Sequence, residues 1–368
     1  MNLMYLVPRE VGGTEIYARR LVAALAAERP DWEIPCFCGD EAAEALPDPE
    51  WPASVRVVRV PVRARSKPAR IAAELGRLPA MARREGIELL HSFGTTSPLH
   101  GRFARVVTVH DLIYDWYPDA FPPAARLGLK LLVPAGARRA HRVQVSSHAT
   151  KAEVVERLKL PPEKIDVVHL GLGMRDVPDR TPADVLRERL SLGGAPVLLT
   201  VNAALPHKNL ARLLEALAAM ETEPTLVLVG HAGRETGALR TRAAELGVAE
   251  RVRMTGWLED AELEGLYAMA DAFVYPSLHE GFGLPVLEAM RRGVPVACAD
   301  ATSLPEVVGD AALLFDPLDT SAIAAACDRL LRDPGDYASR GPARAAQFGW
   351  DRTARAAIES YERALSRS

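Results

Sequence analysis

The chain has 368 residues, 48% of them hydrophobic and 25% charged, and carries a formal net charge of -3. Because a single core stops growing at roughly 250–300 residues, two globular domains of ordinary size are expected, and neither lasting disorder nor general nucleic-acid binding fits this balance. The opening run Met1-Asn2-Leu3-Met4-Tyr5-Leu6-Val7-Pro8 is too short for a secretory apolar segment, and no later run approaches the ~20 apolar residues of a membrane span. A cytoplasmic protein is expected. Cys36, Cys38, Cys298 and Cys327 lack the paired spacing of a zinc site and read as reduced structural thiols in strands or helices.

In chain order, short β-branched or aliphatic runs alternate with longer helical patterns. Residues 3–7 read as a strand, 14–28 as a helix, 55–60 as a strand, 71–84 as a helix, 89–91 and 106–110 as strands, and 124–140 as a helix. Strands separated by helices predict a parallel sheet covered on both faces. The rhythm pauses at Leu170-Gly171-Leu172-Gly173 and passes through Pro178, Thr181 and Pro182, a stretch suited to a hinge. It resumes with strands at 197–201, 225–229, 252–255, 272–275 and 294–298 and with helices such as 210–220 and 261–269. The predicted class is α/β, with two doubly wound domains: residues 1–172 completed by a terminal helix over 350–368, and residues 173–349. Ligands of open parallel sheets bind beyond the carboxyl ends of the strands, so the loops after strands and the cleft between two such domains are where chemistry is expected.

After the first predicted strand, Gly12-Gly13 leads into a helix, which allows close backbone approach to a ligand at a helix amino end. A plain tight turn with Thr14 as the cap explains the same residues. No Gly-x-Gly-x-x-Gly follows a strand, which counts against a nicotinamide or flavin dehydrogenase. The most informative segment is His279-Glu280-Gly281-Phe282-Gly283-Leu284-Pro285-Val286-Leu287-Glu288-Ala289-Met290. It follows the 272–275 strand, and Pro285 stands where a first helical residue is expected, so a glycine loop feeds a helix amino terminus flanked by two carboxylates. Ionised carboxylates accept paired hydrogen bonds and suit sugar and ribose hydroxyls. The plainer alternative is a solvated Glu280 and a Glu288 that serves only the helix.

This segment resembles the Glu-x7-Glu signature of family-four retaining glycosyltransferases, the GT-B group also called group 1. Residues 252–258, 270–277, Gly293-Val294-Pro295-Val296 and Ser303-Leu304-Pro305-Glu306-Val307-Val308-Gly309-Asp310 are similar to further family landmarks. The resemblance implies two Rossmann-like domains facing a central cleft, an acceptor-binding first domain and a nucleotide-sugar-binding second one. It implies that Glu280 holds donor-sugar hydroxyls, that Glu288 holds the ribose, and that Gly281, Phe282, Gly283 and Leu284 touch sugar and phosphates. Trp257 and Leu258 would lie beside the base. Leu205-Pro206-His207-Lys208-Asn209 resembles the family's Lys-Asn turn, with Lys208 on the diphosphate, although Asn202-Ala203-Ala204 stands where many relatives have a glycine and an arginine. A surface lysine ahead of a helix is the alternative for Lys208. Gly12 and Gly13 match the glycine loop placed against the donor phosphates. His110, at the end of Val106-Val107-Thr108-Val109-His110-Asp111, matches a family histidine near the site of attack and is the choice for the acceptor-side polar group, with Asp111 orienting it. His91 and His100, in a neighbouring loop, are lesser candidates.

No Asp-x-Asp metal motif is present, and GT-B relatives generally work without a bound metal, so no metal or cofactor is expected beyond the nucleotide sugar as co-substrate. The expected reaction is same-face hexosyl transfer with retained configuration, onto a glycan, lipid-linked or small-molecule acceptor. GDP-mannose is favoured as donor because the His110 stretch and the Lys-Asn turn look most like mannosyltransferases of polysaccharide assembly; UDP- and dTDP-sugars stay open. Arg56, Arg59, Arg63, Arg65, Lys67 and Arg70 follow one another with no acid between, which fits either peripheral contact with an anionic membrane, recognition of an acidic acceptor, or a solvated loop. A sugar phosphorylase or nucleotide-sugar epimerase of the same fold, or a non-catalytic nucleotide-sugar-binding partner, are the competing functions.

Overall fold

A computed structural model describes residues 1–46, 48, 51–173, 177 and 179–366. Internal contacts divide the chain into two compact units, Met1–Gly173 with Phe348–Ser368, and Met174–Gln347. Each is an all-parallel sheet between helices. Among the described residues no helix is long and apolar enough to cross a membrane. Pro178 of the expected hinge lies outside the described residues, while Gly171 sits where a Cβ would press into Trp350, at 2.7 Å.

The first unit contains strands β1 (Ile34–Cys38), β2 (Val55–Arg59), β3 (Leu89–Ser92), β4 (Ala104–Val109), β5 (Arg142–Val145) and β6 (Ile165–Val167). β1 pairs with β2, and β3 to β6 form a sheet in sequence order. The strand expected over residues 3–7 does not form. Instead Asn2 alone bridges Phe37 of β1 and Ser92 of β3. The Asn2 side chain accepts the Met4 amide at 3.2 Å, and Leu6 N turns back to Leu3 O at 3.0 Å. This local capture competes with ladder pairing and ends the strand after one residue. Leu3, Met4 and Leu6 are all buried, so the apolar run still serves the core without the alternation of a half-buried strand.

The helix expected over 71–84 is divided into Lys67–Ala72, a π-helical turn Ala73–Arg77, and Leu78–Arg84 with Pro79 in its first turn. Three unpredicted elements, β5, helix His148–Leu158 and β6, follow the 124–140 pattern, which forms as Pro123–Arg139. Ser147 caps the His148 helix by accepting Thr150 N at 3.0 Å. The terminal helix Trp350–Leu365 packs on helix Gly13–Glu28 and on β4 and β5, where Ala354, Ala357, Tyr361 and Ala364 are buried.

The second unit contains β7 (Val197–Val201), β8 (Thr225–Val229), β9 (Val252–Gly256), β10 (Ala272–Tyr275), β11 (Val296–Ala299) and β12 (Leu313–Phe315), in spatial order β12-β11-β10-β7-β8-β9. The chain runs outward from β7 through β9, then returns to lay β10 against the other edge of β7. The order therefore reverses between β7 and β10, and the loops leaving these two strands flank a topological switch point. Strand β12 was not anticipated: it is three residues long and only Phe315 is buried. All four cysteines are free and buried. Burial pushes their thiols up, Cys36 to about 11 and Cys38 to about 12, as inert core groups do.

Candidate active-site residues in each unit

The loop after β7 carries Lys208 and the loop after β10 carries Glu280, so the switch point brings the two together. Their partners fix both loops. Asn209 adopts a left-handed backbone (φ 58°) and donates its side-chain amide to Pro317 O at 2.7 Å and Pro276 O at 3.2 Å. The His207 carbonyl accepts from Leu278 N at 2.8 Å and from the Ser277 hydroxyl at 3.1 Å. Across this stitched pair of loops, Lys208 Nζ donates to Glu280 Oε1 at 2.5 Å and to the Tyr275 hydroxyl at 3.3 Å. Both charged side chains keep a little exposure, 14% for Lys208 and 11% for Glu280, so an entering ligand can reach them.

Burial alone pushes the Glu280 carboxyl up, but the Lys208 ammonium and the Ser277 hydroxyl outweigh it and hold the acid below its ordinary range. The group is an acceptor at neutral pH. Burial and the adjacent Glu280 push the Tyr275 phenol up, keeping it a neutral neighbour. Behind the loop, Ser303 Oγ donates to Phe282 O at 2.8 Å and to Glu280 O at 3.1 Å, and Glu280 N donates to Thr302 Oγ1 at 3.0 Å.

Gly283 begins helix Leu284–Arg291 with φ 112°, and a Cβ there would meet Leu304 Cδ2 at 2.7 Å, so glycine is required twice over. Pro285 is the second helical residue rather than the first, which still leaves the early amides without partners inside the helix. Glu288, on the same helix, is 5% exposed and accepts the Tyr267 hydroxyl at 3.2 Å. Tyr267 in turn lies under the Arg292 guanidinium, 4.7 Å from ring centre, and Arg292 pairs with Glu264. Trp257 and Leu258 follow β9. Trp257 is 52% exposed and stacks on His231 at 4.8 Å and 21°. The resulting aromatic shelf offers a face suited to another planar ring.

In the first unit, Gly12 is the residue before helix Gly13–Glu28 and has φ 57°, ψ -132° with open space where a Cβ would stand. Its conformation, not crowding, calls for glycine. Thr14 does not cap this helix: its hydroxyl donates backward to Val11 O at 2.9 Å, and the Tyr5 hydroxyl donates to Thr14 O at 2.8 Å. His110 leaves the end of β4 with Nε2 2.8 Å from Phe93 O. A carbonyl can only accept, so Nε2 carries the proton and Nδ1 keeps its lone pair. Burial lowers the pKa of His110 against the opposing pull of the Phe93 carbonyl and Asp111, so the ring is neutral at pH 7. The ring is steered by Phe93 O and by the edge of Tyr17 at 4.9 Å, whereas Asp111 Oδ1 accepts Ile113 N at 3.1 Å.

His91 is not in a loop. It lies in β3, fully buried, with Nδ1 2.7 Å from Tyr361 OH and Nε2 2.7 Å from Thr108 Oγ1, a structural tie to the terminal helix. His100 is exposed in a loop. The 56–70 basic run is also less bare than its sequence: Arg56 pairs with Glu85 at 2.5 Å, Arg59 with Asp40 at 2.8 Å, and Arg65 with Glu10. These acids come from other segments, which a reading along the chain misses. Tyr275, Tyr267, Phe93, His231 and Ser303 were likewise not singled out. Only Tyr275 and Ser303 carried any signal, as the last residue of a strand pattern and the first of a family landmark.

The family described as glycosyl transferases group 1 matches residues 184–347, and the glycosyl transferase 4-like domain matches residues 12–171. O-antigen chain mannosyltransferase B of Escherichia coli is 32% identical over 372 residues, spanning 94% of this chain and 94% of that protein. A D-inositol 3-phosphate glycosyltransferase of Frankia alni is 32% identical over 306 residues, spanning 78% of this chain and 71% of that one. Among solved structures, a sucrose-phosphate synthase from Thermosynechococcus elongatus superposes with TM-score 0.76 at 23% identity, over 100% of this chain and 98% of that one. HepE of Anabaena, in complex with UDP and glucose, gives TM-score 0.72 at 23% identity over 94% and 95% of the two chains. At such identities the structural likeness speaks for the fold alone. Full-length similarity to a curated relative, two family matches that together run through both units, and the GT-B neighbours agree: the chain belongs to the group 1 glycosyltransferases and has the GT-B fold.

Proposed function

We propose that this protein transfers a hexosyl group with retention of configuration and without a metal ion, mannose from GDP-mannose being the favoured donor, onto a glycan, lipid-linked or small-molecule acceptor. The observation that carries this reading is the Lys208–Glu280 contact at the switch point, beside the start of helix Leu284–Arg291. An ammonium has three donors; Glu280 and the Tyr275 hydroxyl take two, and the third meets a diphosphate oxygen. The early amides of the helix add a second, fixed positive pole for the same phosphates. Glu280, held ionised, accepts from hydroxyls of the donor sugar. Glu288 takes the ribose, and Trp257 with Leu258 receives the base.

As the bond between the anomeric carbon and the phosphate oxygen breaks, negative charge grows on the leaving diphosphate. Lys208 and the amides are already aimed at it and need no rearrangement. The departing phosphate oxygen removes the acceptor hydroxyl proton, and the acceptor oxygen bonds the anomeric carbon from the same face. Neutral His110 offers Nδ1 to a hydroxyl near that carbon, while Gly12 and Gly13 let backbone approach the phosphates. The mannosyl preference is supported by the name of the E. coli relative and by a second one, the MMP alpha-(1->4)-mannosyltransferase of Mycolicibacterium hassiacum, 31% identical over 63% of this chain and 56% of that protein.

Calorimetric titration with GDP-mannose, UDP-glucose, UDP-N-acetylglucosamine and a dTDP-deoxysugar tests the donor, and GDP-mannose is expected to bind tightest. Failure of all four at millimolar concentration ends the proposal. Nucleoside diphosphate release that needs acceptor separates transfer from phosphorolysis and epimerisation. Proton NMR of the new anomeric centre, run in excess EDTA, reads retention and metal independence in one experiment; an inverted product or silenced enzyme rejects the corresponding part.

A further inference from the structure

Four polar side chains run in a line through the core of the first unit, and none of them serves the transfer reaction directly. They are His91 on β3, Thr108 on β4, Tyr17 on helix Gly13–Glu28 and Tyr361 on the terminal helix, each at most 2% exposed. Tyr361 OH stands 2.7 Å from His91 Nδ1, His91 Nε2 stands 2.7 Å from Thr108 Oγ1, and Tyr17 OH stands 2.9 Å from the same threonine oxygen. Burial, ahead of the other causes, pushes His91 well below 6.5 and keeps it neutral. A neutral imidazole has one donor and one acceptor, and each hydroxyl can act as both, so all three bonds form together in either tautomer of His91. Apolar residues would fill the same core without needing partners, whereas a satisfied polar line specifies the packing around it.

What this line holds in place is Phe93. The Phe93 ring is fully buried, 4.5 Å from the His91 ring at 66° and 5.0 Å from the Tyr17 ring at 56°. Both flanking rings are hydrogen-bonded to the one Thr108 hydroxyl, so their spacing, and the seat of Phe93 between them, follow from it. The Phe93 carbonyl in turn engages His110 Nε2 at 2.8 Å. Tyr17 meets His110 as well, ring against ring at 4.9 Å and 88°. Thr108 and His110 are two residues apart at the end of β4 and project to the same side, which is how one tyrosine reaches both. The two contacts that steer the His110 ring therefore lead back to the Thr108 hydroxyl.

We propose that Thr108, His91 and Tyr17 are positioning residues for His110: their hydrogen bonds set the Phe93 carbonyl and the Tyr17 ring, which together fix the tautomer and the angle at which His110 Nδ1 meets an acceptor hydroxyl. This rests on the reading that His110 works at the acceptor. A displacement of ~1 Å at a reacting group can cost about 100-fold in rate, so a hydroxyl that touches no substrate still governs turnover. Donor affinity should not follow, because the donor is held by Lys208, Glu280 and the amides of helix Leu284–Arg291. Through Tyr361, the same line makes the terminal helix part of the setting of His110.

Nitrogen-15 NMR of the full chain, labelled in its histidine rings, reads the tautomer of His110 directly, its signal being the one that His110→Gln removes. The parent is expected to show His110 protonated at Nε2 alone. Thr108→Val keeps the side-chain shape and deletes the hydroxyl. It should populate the Nδ1–H tautomer and lower kcat by about 10- to 100-fold, read as nucleoside diphosphate release in acceptor-containing cell extract. Calorimetric affinity for the nucleotide sugar that the parent binds tightest should stay within about two-fold. Thr108→Ser returns the hydroxyl and should bring back the parent spectrum and rate, whereas a purely steric role would favour valine over serine. Should Thr108→Val fail to fold, Tyr17→Phe, which keeps the ring and loses one hydroxyl, should show the same tautomer change in smaller measure. A His110 signal untouched in the variants that fold, or a valine variant that outperforms the serine one, overturns the proposal. A changed tautomer with unchanged turnover supports the positioning and removes His110 from the reaction instead, so the two failures are told apart.

Discussion

Two sequestered carboxylates, one in each unit, meet opposite fates. Glu280 faces an ammonium at 2.5 Å and is held below the ordinary carboxylate range. Glu74, on the π-helical turn Ala73–Arg77, is 4% exposed and is met by neutral dipoles: Asn2 Nδ2 donates to Oε1 at 2.6 Å and Thr96 Oγ1 donates to Oε2 at 2.8 Å. Burial pushes Glu74 up, and Thr96, Asn2 and the more distant Arg70 do not bring it back. Desolvation is common to both, so the sign follows from whether a full charge in direct contact opposes it or neutral dipoles with only a more distant cation. The first arrangement keeps an acid ionised where a ligand can reach it. The second spends an acid on tying the Asn2 bridge, the π-turn and the loop after β3 into one piece.

The sharpest way to break this contrast is kinetic. Lys208→Ala removes the cation aimed at the leaving phosphate, and kcat should fall by about 100- to 1,000-fold, the range seen when one preorganised charge-stabilising donor is lost. Glu280→Gln should fall in the same direction through weaker hold on sugar hydroxyls. Glu74→Gln, by contrast, should stay within a few-fold of the parent in initial-rate assays. A Glu74→Gln enzyme as slow as Lys208→Ala would show that the two acids are not functionally distinct.

Stability should reverse the ranking. Glu74→Ala leaves the donors of Asn2 and Thr96 without their acceptor in the core, at about 1–3 kcal/mol for each unsatisfied group, so a loss of about 2–6 kcal/mol is expected in urea melts. Glu280→Ala should cost less, since Lys208 keeps some access to water and to the Tyr275 hydroxyl. Equal losses would mean that the Lys208 ammonium is sealed from solvent.

Acid titration sharpens the comparison from a neighbour of the same pair. Burial, with the Lys208 ammonium adding to it and Glu280 opposing, lowers His207 from 6.5 to about 4. Between those values the unfolded chain binds a proton that the folded one refuses. The His207 contribution is therefore full above pH 6.5 and declines as pH falls toward 4, by at most about 3.5 kcal/mol at ~1.4 kcal/mol per unit. Glu280, whose folded pKa lies below its unfolded one, gives up its own contribution only at lower pH, beneath the ordinary carboxylate value of 4.5. Denaturation midpoints across pH 4–7 should thus slope less steeply for His207→Gln than for the parent, the remaining slope coming from His91 and His110, which burial also lowers; an unchanged slope would assign the effect to another group.

The legibility of the sequence also differs between the two units. In the second, five of the six strands were readable: β7, β8, β10 and β11 are buried, mostly apolar runs, the half-buried β9 was met by its Val252-Arg253-Met254-Thr255 pattern, and β10 forms over the residues expected, Ala272–Tyr275. The Glu280 loop was readable because its glycines, proline and acids are contiguous. In the first unit, the run at 3–7 looked like a strand but Asn2 diverts it, and a side-chain capture two residues away leaves no periodicity to detect. His91 looked like a loop residue because nothing in its neighbourhood announces Tyr361, 270 residues later. The 56–70 arginines looked bare because Asp40, Glu85 and Glu10 reach them only in three dimensions. Local chemistry is written in order along the chain; partners brought by folding are not.

The smallest effect concerns the other acid of the Glu-x7-Glu pair. Tyr267 donates to Glu288 Oε2 at 3.2 Å, long for a bond to a carboxylate, and its ring also carries Arg292, whose guanidinium reaches Glu288 O at 2.9 Å. Tyr267→Phe deletes the hydroxyl and keeps the ring, so packing and the cation contact survive. A hydrogen bond to a charged group is worth ~1.5–3 kcal/mol at good geometry, and at this length about 1 kcal/mol of stability should be lost. If Glu288 grips the donor ribose equally in ground and transition states, its looser rotamer raises the donor KM a few-fold and leaves kcat alone. A change confined to the melting temperature would leave Glu288 as a structural acid of the helix and take the ribose assignment away from it.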